Sequence, residues 1–167
     1  DALEKYGHIS DWDVSQITDM SELFENQTHF NDYIGRWDVS NVINMSIMFS
    51  NAMKFNKPIG NWDVSSVTDM PGMFMNAENF NQPIGDWDVS NVENMCLMFF
   101  KAIKFNQPIG DWDVSSVKNM SLMFSNSTFN QPIGDWNVSS ATDMSSMFSN
   151  ATEFNQPIGD WNVSNVI

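Results

Sequence analysis

The chain has 167 residues, of which 42% are hydrophobic and 13% aromatic, so it is long enough and apolar enough to bury a core. Its 21 acidic and 7 basic residues give a formal net charge of −14. This charge works against binding to nucleic-acid phosphates or anionic membranes and favours cations or basic protein surfaces. The only cysteine, Cys96, excludes an internal disulfide, and no long apolar run predicts a membrane span.

The chain begins with a segment that differs from the rest and continues as one repeat. Residues 1–11 are predicted to form an N-terminal start or cap, because DALEKYGHIS does not match a full repeat. The repeats that follow have a period of 25 residues, shortened once to 24, and are anchored at Trp12, Trp37, Trp62, Trp87, Trp112, Trp136 and Trp161. Such a period is typical of proteins whose units pack only on their neighbours. We therefore expect a single domain over residues 1–167.

The first half of each unit has the pattern of a short strand. In the segment IGDWDVS, Trp87 and Val89 alternate with polar residues, as expected for a half-buried strand. The segment FNQPIG, with Pro83 and Gly85, is expected to return the chain to the next strand.

The second half of each unit has the pattern of a short helix. Apolar residues spaced like one helix face are Met70, Met73, Phe74 and Ala77. Asp69 stands where an N-cap is expected, and Pro71 is tolerated only in a first helical turn. Strand and helix together predict an α/β fold, a right-handed, leucine-rich-repeat-like solenoid of about seven coils with parallel strands.

The motifs FNQPIGDWDVSNV and DMSSMFSNA resemble the repeat of the BspA-like surface proteins. That family was first defined as a domain of unknown function in mycoplasma lipoproteins and is related to the leucine-rich repeats. The resemblance covers the chain from Ile9 onward. It implies a cell-surface or secreted protein that binds other macromolecules, and it supplies no catalytic residues.

Most repeated residues are interpreted as structural. The tryptophans, together with Met95, Met98, Phe99, Phe105 and their equivalents, are expected to form the core. An asparagine follows each returning phenylalanine, and these residues are expected to form a hydrogen-bonded ladder. They are Asn31, Asn56, Asn81, Asn106, Asn130 and Asn155.

The residues on either side of each tryptophan are the candidate functional site. They are mostly aspartates and are expected to lie in two columns on an acidic, concave strip, with serines beside them. The candidate binding residues are Asp86, Asp88, Ser90, Asp111, Asp113, Ser115, Asp135 and Asp160. Like charges about 5 Å apart repel by about 3 kcal/mol at an effective dielectric near 20. The repulsion therefore has to be relieved.

Three ways of relieving the repulsion between the aspartates are compatible with the sequence. The first is solvent, salt and hydrogen bonds from the neighbouring serines, and the second is a basic protein surface docked on the strip. The third is Ca²⁺ bridging the carboxylates of adjacent coils, with Asp86, Asp88, Asp111 and Asp113 as ligands. No D-x-D-x-D-G loop supports calcium, so no cofactor is predicted.

An enzyme is not predicted. His8 and His29 have no partners at metal-ligand spacing, Cys96 replaces a serine of the repeat, and no nucleophile or phosphate-binding motif occurs. The sequence favours a non-enzymatic interaction or adhesion module. The alternative is a structural subunit of a larger assembly, for which Phe100 and Ile103 offer an irregular apolar patch.

Overall fold

The computed structural model describes residues 2–167. A helix, α1, spans Ala2–Tyr6, and one 3-10 turn spans Ile9–Asp11. Within residues 2–167 there is no strand, and consecutive units share single parallel bridges through Asp19, Asn44, Asp69, Asn94, Asn119 and Asp143. The predicted α/β, leucine-rich-repeat-like solenoid with a strand and a helix in each coil is therefore wrong.

Each unit is instead a succession of tight turns, and the first and fourth residues of most of these turns are apolar. The N–H of Trp37 donates to the carbonyl of Ile34 at 3.1 Å, and the N–H of Val42 donates to the carbonyl of Val39 at 2.9 Å. The turn motifs are I-G-x-W, V-S-x-V, M-x-x-M, F-x-x-A and A-x-x-F. Turns that follow one another directly place apolar residues three and four apart, which is also the spacing of a helix face. This coincidence explains the wrong helix prediction.

The backbone of the M-x-x-M turn is incompatible with a right-handed helix. In the turn Met70–Met73, closed by a 3.3 Å hydrogen bond, Pro71 is second and Gly72 is third with a φ of 59°. Proline followed by a residue with positive φ defines a type II turn. Ile47 has the same position in its unit and a φ of 61°. Pro71 is therefore the second residue of a type II turn, and its interpretation as part of the first turn of a helix is wrong.

The units stack through the segment that was expected to be helical. We call this segment, in all units, the turn row; it comprises residues 19–26, 44–51, 69–76, 94–101, 119–126 and 143–150. In it, the N–H groups of Met45 and Ile47 donate to the carbonyls of Asp69 and Pro71 in the next unit, at 2.9 and 2.8 Å. The carbonyl of Asn44 accepts from the preceding unit. Alternate peptide groups therefore point along the stack in one direction.

The core consists of aromatic columns that run through the stack. Phe99 is fully buried and stacks on Phe74 and Phe124 with ring centroids 5.7 Å away in each case. A second column packs beside the first, with Phe105 only 4.0 Å from Phe99. The inner tryptophans are also buried, and each indole N–H donates to an isoleucine carbonyl of the preceding unit, as Trp112 does to Ile84 at 3.0 Å. The predicted core is confirmed for Met95, Met98, Phe99, Phe105 and the inner tryptophans, but it is wrong for Trp12, which is 41% exposed.

Ladders of side chains form hydrogen bonds with the backbone of the FNQPIG segment in successive units. The Oδ1 of Asn56 accepts from the N–H of Asn81 at 2.9 Å, and Asn81 repeats this contact with Asn106 at 3.0 Å. The predicted asparagine ladder is confirmed. In the shortened unit, the hydroxyl of Ser127 donates to the carbonyl of Phe124, and the ladder resumes undisturbed at the next asparagine. The lost residue therefore comes from the connection before the returning phenylalanine.

A second ladder is interrupted at Lys101 and resumes between Asn126 and Asn150, which leads to a stability prediction. Asn76 donates its side-chain amide to Asn51 at 2.8 Å, but Lys101 fills the next position, with a positive φ of 55°. We expect Lys101→Asn to raise the free energy of unfolding by about 1 kcal/mol, because asparagine tolerates this conformation and extends the ladder. Urea denaturation measures the change. Lys101→Ala is the control, and an equal gain in both variants would contradict the ladder explanation.

Candidate functional site

The two aspartate columns of the predicted strip lie on the surface of the stack. The first column precedes the tryptophans and forms the third position of each I-G-x-W turn. Its predicted site residues, all exposed, are Asp86, Asp111, Asp135 and Asp160. Arg36 and Asn61 hold this position in two earlier units, so the continuous acidic part of the column begins at Asp86. In the second column Asp88 and Asp113 are also exposed.

The second column is held in place by the serines. The Oδ1 of Asp88 accepts from the N–H of Ser90 at 3.1 Å and from its hydroxyl at 2.6 Å. Ser115 makes the equivalent backbone contact to Asp113 at 3.0 Å. Both serines are half-buried, so they orient the carboxylates. An aspartate that bonds the backbone two residues ahead is a common turn motif.

Hydrogen bonds from the serines relieve the repulsion within this column. The hydroxyl and then the N–H of Ser40 hold the pKa of Asp38 below its usual value of 3.8, although burial and the charges of Asp13 and Asp63 act in the opposite direction. The Ser115 hydroxyl and N–H lower the pKa of Asp113 in the same way. The neighbouring carboxylates are thus close enough to repel, and the hydrogen bonds outweigh the repulsion.

The lowered pKa values predict a loss of stability in acid. A carboxylate whose folded-state pKa lies below its unfolded value of 3.8 adds stability above that value and loses it as pH falls through the folded pKa. We therefore expect Tm to fall steadily below about pH 4. Replacing Asp38 and Asp63 by Asn should flatten this decline, because Asn137 accepts the same two bonds from Ser139 without charge. Scanning calorimetry across pH measures both effects, and parallel acid profiles for the two proteins would contradict the assignment.

The first column borders a groove that the sequence alone did not indicate. Asp86 and Asp111 line a shallow depression of about 320 Å³ together with Pro108 and Pro132. From the sequence alone, the equivalent proline, Pro83, is assigned only to the return of the chain to the next strand. The available signal was the constant position of the prolines, three residues before each aspartate of this column. The groove therefore combines the carboxylates of two aspartates with the apolar rings of two prolines.

The remaining candidate groups are poorly suited to metal binding or nucleophilic catalysis. In the part of the chain that the structure describes, no group of three or more histidine, cysteine, aspartate or glutamate side chains has the geometry to hold a metal ion. The calcium ligands suggested by the sequence, Asp86, Asp88, Asp111 and Asp113, do not form such a group. Burial raises the pKa of the Cys96 thiol, and the charge of Asp143 adds to this effect. The reactive thiolate is thus disfavoured.

Comparison with known protein families identifies the family to which the chain belongs. A family model described as "Mycoplasma protein of unknown function, DUF285" matches residues 2–100 and again residues 82–167. The chain belongs to this family. No curated protein and no solved structure matches the chain significantly. Among residues 2–167, no helix has the length and apolar character needed to cross a membrane.

Proposed function

We propose that this member of the mycoplasma repeat family is a non-enzymatic interaction module of the BspA-like type that acts at the cell surface or after secretion. Its acidic strip binds a protein with a basic surface. The observation that carries the proposal is the fixed orientation of the second aspartate column, in which Asp88 accepts two hydrogen bonds from Ser90. Carboxylates already held in place lose less conformational freedom when a partner binds.

The distribution of charge supports a basic partner. The strip from Asp86 to Asp160 contains no lysine or arginine in either column. The side chain of Lys118 forms a 2.6 Å ion pair with Glu93, one unit away. A surface of one sign attracts partners of the opposite sign and accelerates their association. The groove beside Asp86 and Asp111 adds apolar proline surface that can accept the alkyl stem of a lysine or arginine.

The experiment compares two variants of equal charge. The strip variant replaces Asp86, Asp88, Asp111 and Asp113 by Asn, and the control replaces Glu25, Glu78, Glu93 and Glu153 by Gln. Each changes the net charge from −14 to −10. We expect the strip variant to bind a decalysine peptide about tenfold more weakly than the control, since each exposed ion pair contributes up to about 1 kcal/mol. Equal binding of the two variants in titration calorimetry would disprove the strip as the contact.

A structural subunit of a larger assembly is the second candidate. The observation that favours it is the apolar side chain of Ile103, which is 46% exposed on the side of the stack. A permanent partner on this surface is expected to survive high salt during native purification, whereas a partner on the acidic strip is expected to dissociate.

A further inference from the structure

The basic residues of this acidic chain are concentrated in one part of the stack. Four of the seven lie in two short segments, residues 54–57 and 101–104, which contain no aspartate or glutamate. Each segment lies next to a returning phenylalanine, Phe55 or Phe105, and a single unit separates the two. A chain with a net charge of −14 therefore carries a local surface of the opposite sign.

Two of these lysines stand beside exposed apolar side chains. Met53 and Ile103 are 39% and 46% exposed. Lys54 and Lys104 follow them directly in the sequence and are exposed as well. We call these four residues the lysine edge. The ammonium group of Lys104 donates to the Oδ1 of Asn79 at 2.6 Å, so this side chain is already held in one orientation. The lysine edge thus combines a positive charge with an apolar contact in each of two units.

The first column of the acidic strip carries the complementary chemistry. An exposed proline precedes each exposed aspartate by three residues, as Pro83 precedes Asp86 and Pro132 precedes Asp135. Each unit of the strip therefore offers a negative charge together with an apolar ring. Both surfaces belong to units with a neighbouring unit on either side, so neither depends on where the chain begins or stops.

The two surfaces have the same spacing along the stack. The two lysines of the edge are two units apart, and so are the two aspartates. Ring centroids of the returning phenylalanines are 5.9 Å apart at both steps from Phe55 to Phe105, the units of the lysines. They are 5.9 and 6.1 Å apart at the two steps from Phe80 to Phe129, the units of the aspartates. Two stacks that lie side by side can therefore form both ion pairs at once.

We propose that the acidic strip of one copy docks side by side on the lysine edge of a second copy. This contact rests on the proposed function, because it makes the chain itself a protein whose basic surface the strip binds. The two lysines contact Asp86 and Asp135, and the apolar side chains of the edge pack on the proline rings beside these aspartates. Complementary charges fix the register of such a contact and accelerate its formation. Exposed ion pairs are individually weak, so the contact is reversible and sensitive to salt.

The unit between the two lysines opposes the contact. Its Glu78 is exposed at the position that Met53 and Ile103 occupy in the neighbouring units. In the docked pair, this carboxylate faces Asp111, which lies between the two aspartates that form ion pairs. Like charges at this point repel. Glu78→Gln is therefore expected to strengthen self-association by about threefold.

The test reverses the charges of the two surfaces, first separately and then together. The edge variant carries Lys54→Glu and Lys104→Glu, and the strip variant carries Asp86→Lys and Asp135→Lys. The swap variant carries all four substitutions and keeps the net charge of −14. In sedimentation velocity at low salt, the wild-type mass is expected to grow with concentration. The edge and strip variants should each associate at least about tenfold more weakly, and the swap variant should associate like wild type because opposite charges face each other again.

A matched variant separates the site of the charges from their number. Lys5→Glu combined with Lys118→Glu gives a net charge of −18, the same as in the edge variant. We expect this control to associate more strongly than the edge variant. Thermal melts establish that all variants are folded. Equal association of the control and the edge variant would show that net charge alone is responsible, which overturns the proposal.

Titration with decalysine distinguishes failure of this contact from failure of the proposed function. A wild-type chain that stays monomeric at all concentrations overturns the contact between copies, and so does a swap variant as weak as the edge and strip variants. Self-association that high salt leaves unchanged overturns it as well. If the wild-type chain nevertheless binds decalysine more tightly than the strip variant does, the proposed function stands. If it neither associates nor binds decalysine, both proposals fail.

Discussion

Phe99→Ala is expected to lower the free energy of unfolding by about 3–5 kcal/mol. Phe99 is fully buried and contacts rings in its own unit and in both neighbours, with centroids 4.0 Å away at Phe105 and 5.7 Å away at Phe74 and Phe124. Removing the ring leaves a cavity that the flanking units cannot fill without losing their register. Urea denaturation followed by tryptophan fluorescence measures the loss.

The same substitution at the end of the second column is the control. Phe154 is only half-buried and stacks on Phe129 and Phe148, and no later phenylalanine within residues 2–167 covers it. We expect Phe154→Ala to cost about 1–2 kcal/mol. Equal losses at Phe99 and Phe154 would mean that the stacking of neighbouring units contributes little to stability, contrary to the structure.

Gly85→Ala is expected to destabilise the protein by about 2–3 kcal/mol. A Cβ atom on Gly85 would lie 2.5 Å from the carbonyl oxygen of Pro108 in the next unit, a backbone atom that cannot rotate away. The two units would have to separate, which stretches the ladder of Asn81 and Asn106 beside them. The expected result is a lower urea midpoint and faster amide exchange at this junction.

Gly159→Ala is the matched control, because Gly159 holds the same position in the last unit. No atom lies within 4 Å of its Cβ position. We expect this variant to be as stable as wild type or more stable by about 0.4–1 kcal/mol, since alanine reduces the entropy of the unfolded chain. If both alanine variants had equal stability, the close approach of Gly85 to Pro108 would not limit the spacing of the units.

The sequence predicts which residues form the candidate site, but it does not predict how these residues are arranged in space. The positions of Asp86 and Asp111 beside the tryptophans follow from the repeat, as does the pairing of Asp88 with a serine two residues later. The groove formed with Pro108 was not predictable, because the prolines come from neighbouring units and reach the aspartates only when units stack. Which of these groups contacts a partner stays a prediction.

The period of the repeat, the residues of the core and the asparagine ladder follow from the sequence without a structure. These features depend on residue type at a fixed interval, and Phe99 or Asn81 has the same role in any arrangement that stacks units 25 residues apart. The path of the backbone, in contrast, depends on tertiary packing. Apolar residues three and four apart suit a helix and consecutive turns equally well, but the N–H of Ile47 bonds to Pro71 in the next unit and not to a carbonyl in its own turn. That acceptor exists only after the neighbouring unit has packed, so no local pattern reveals it.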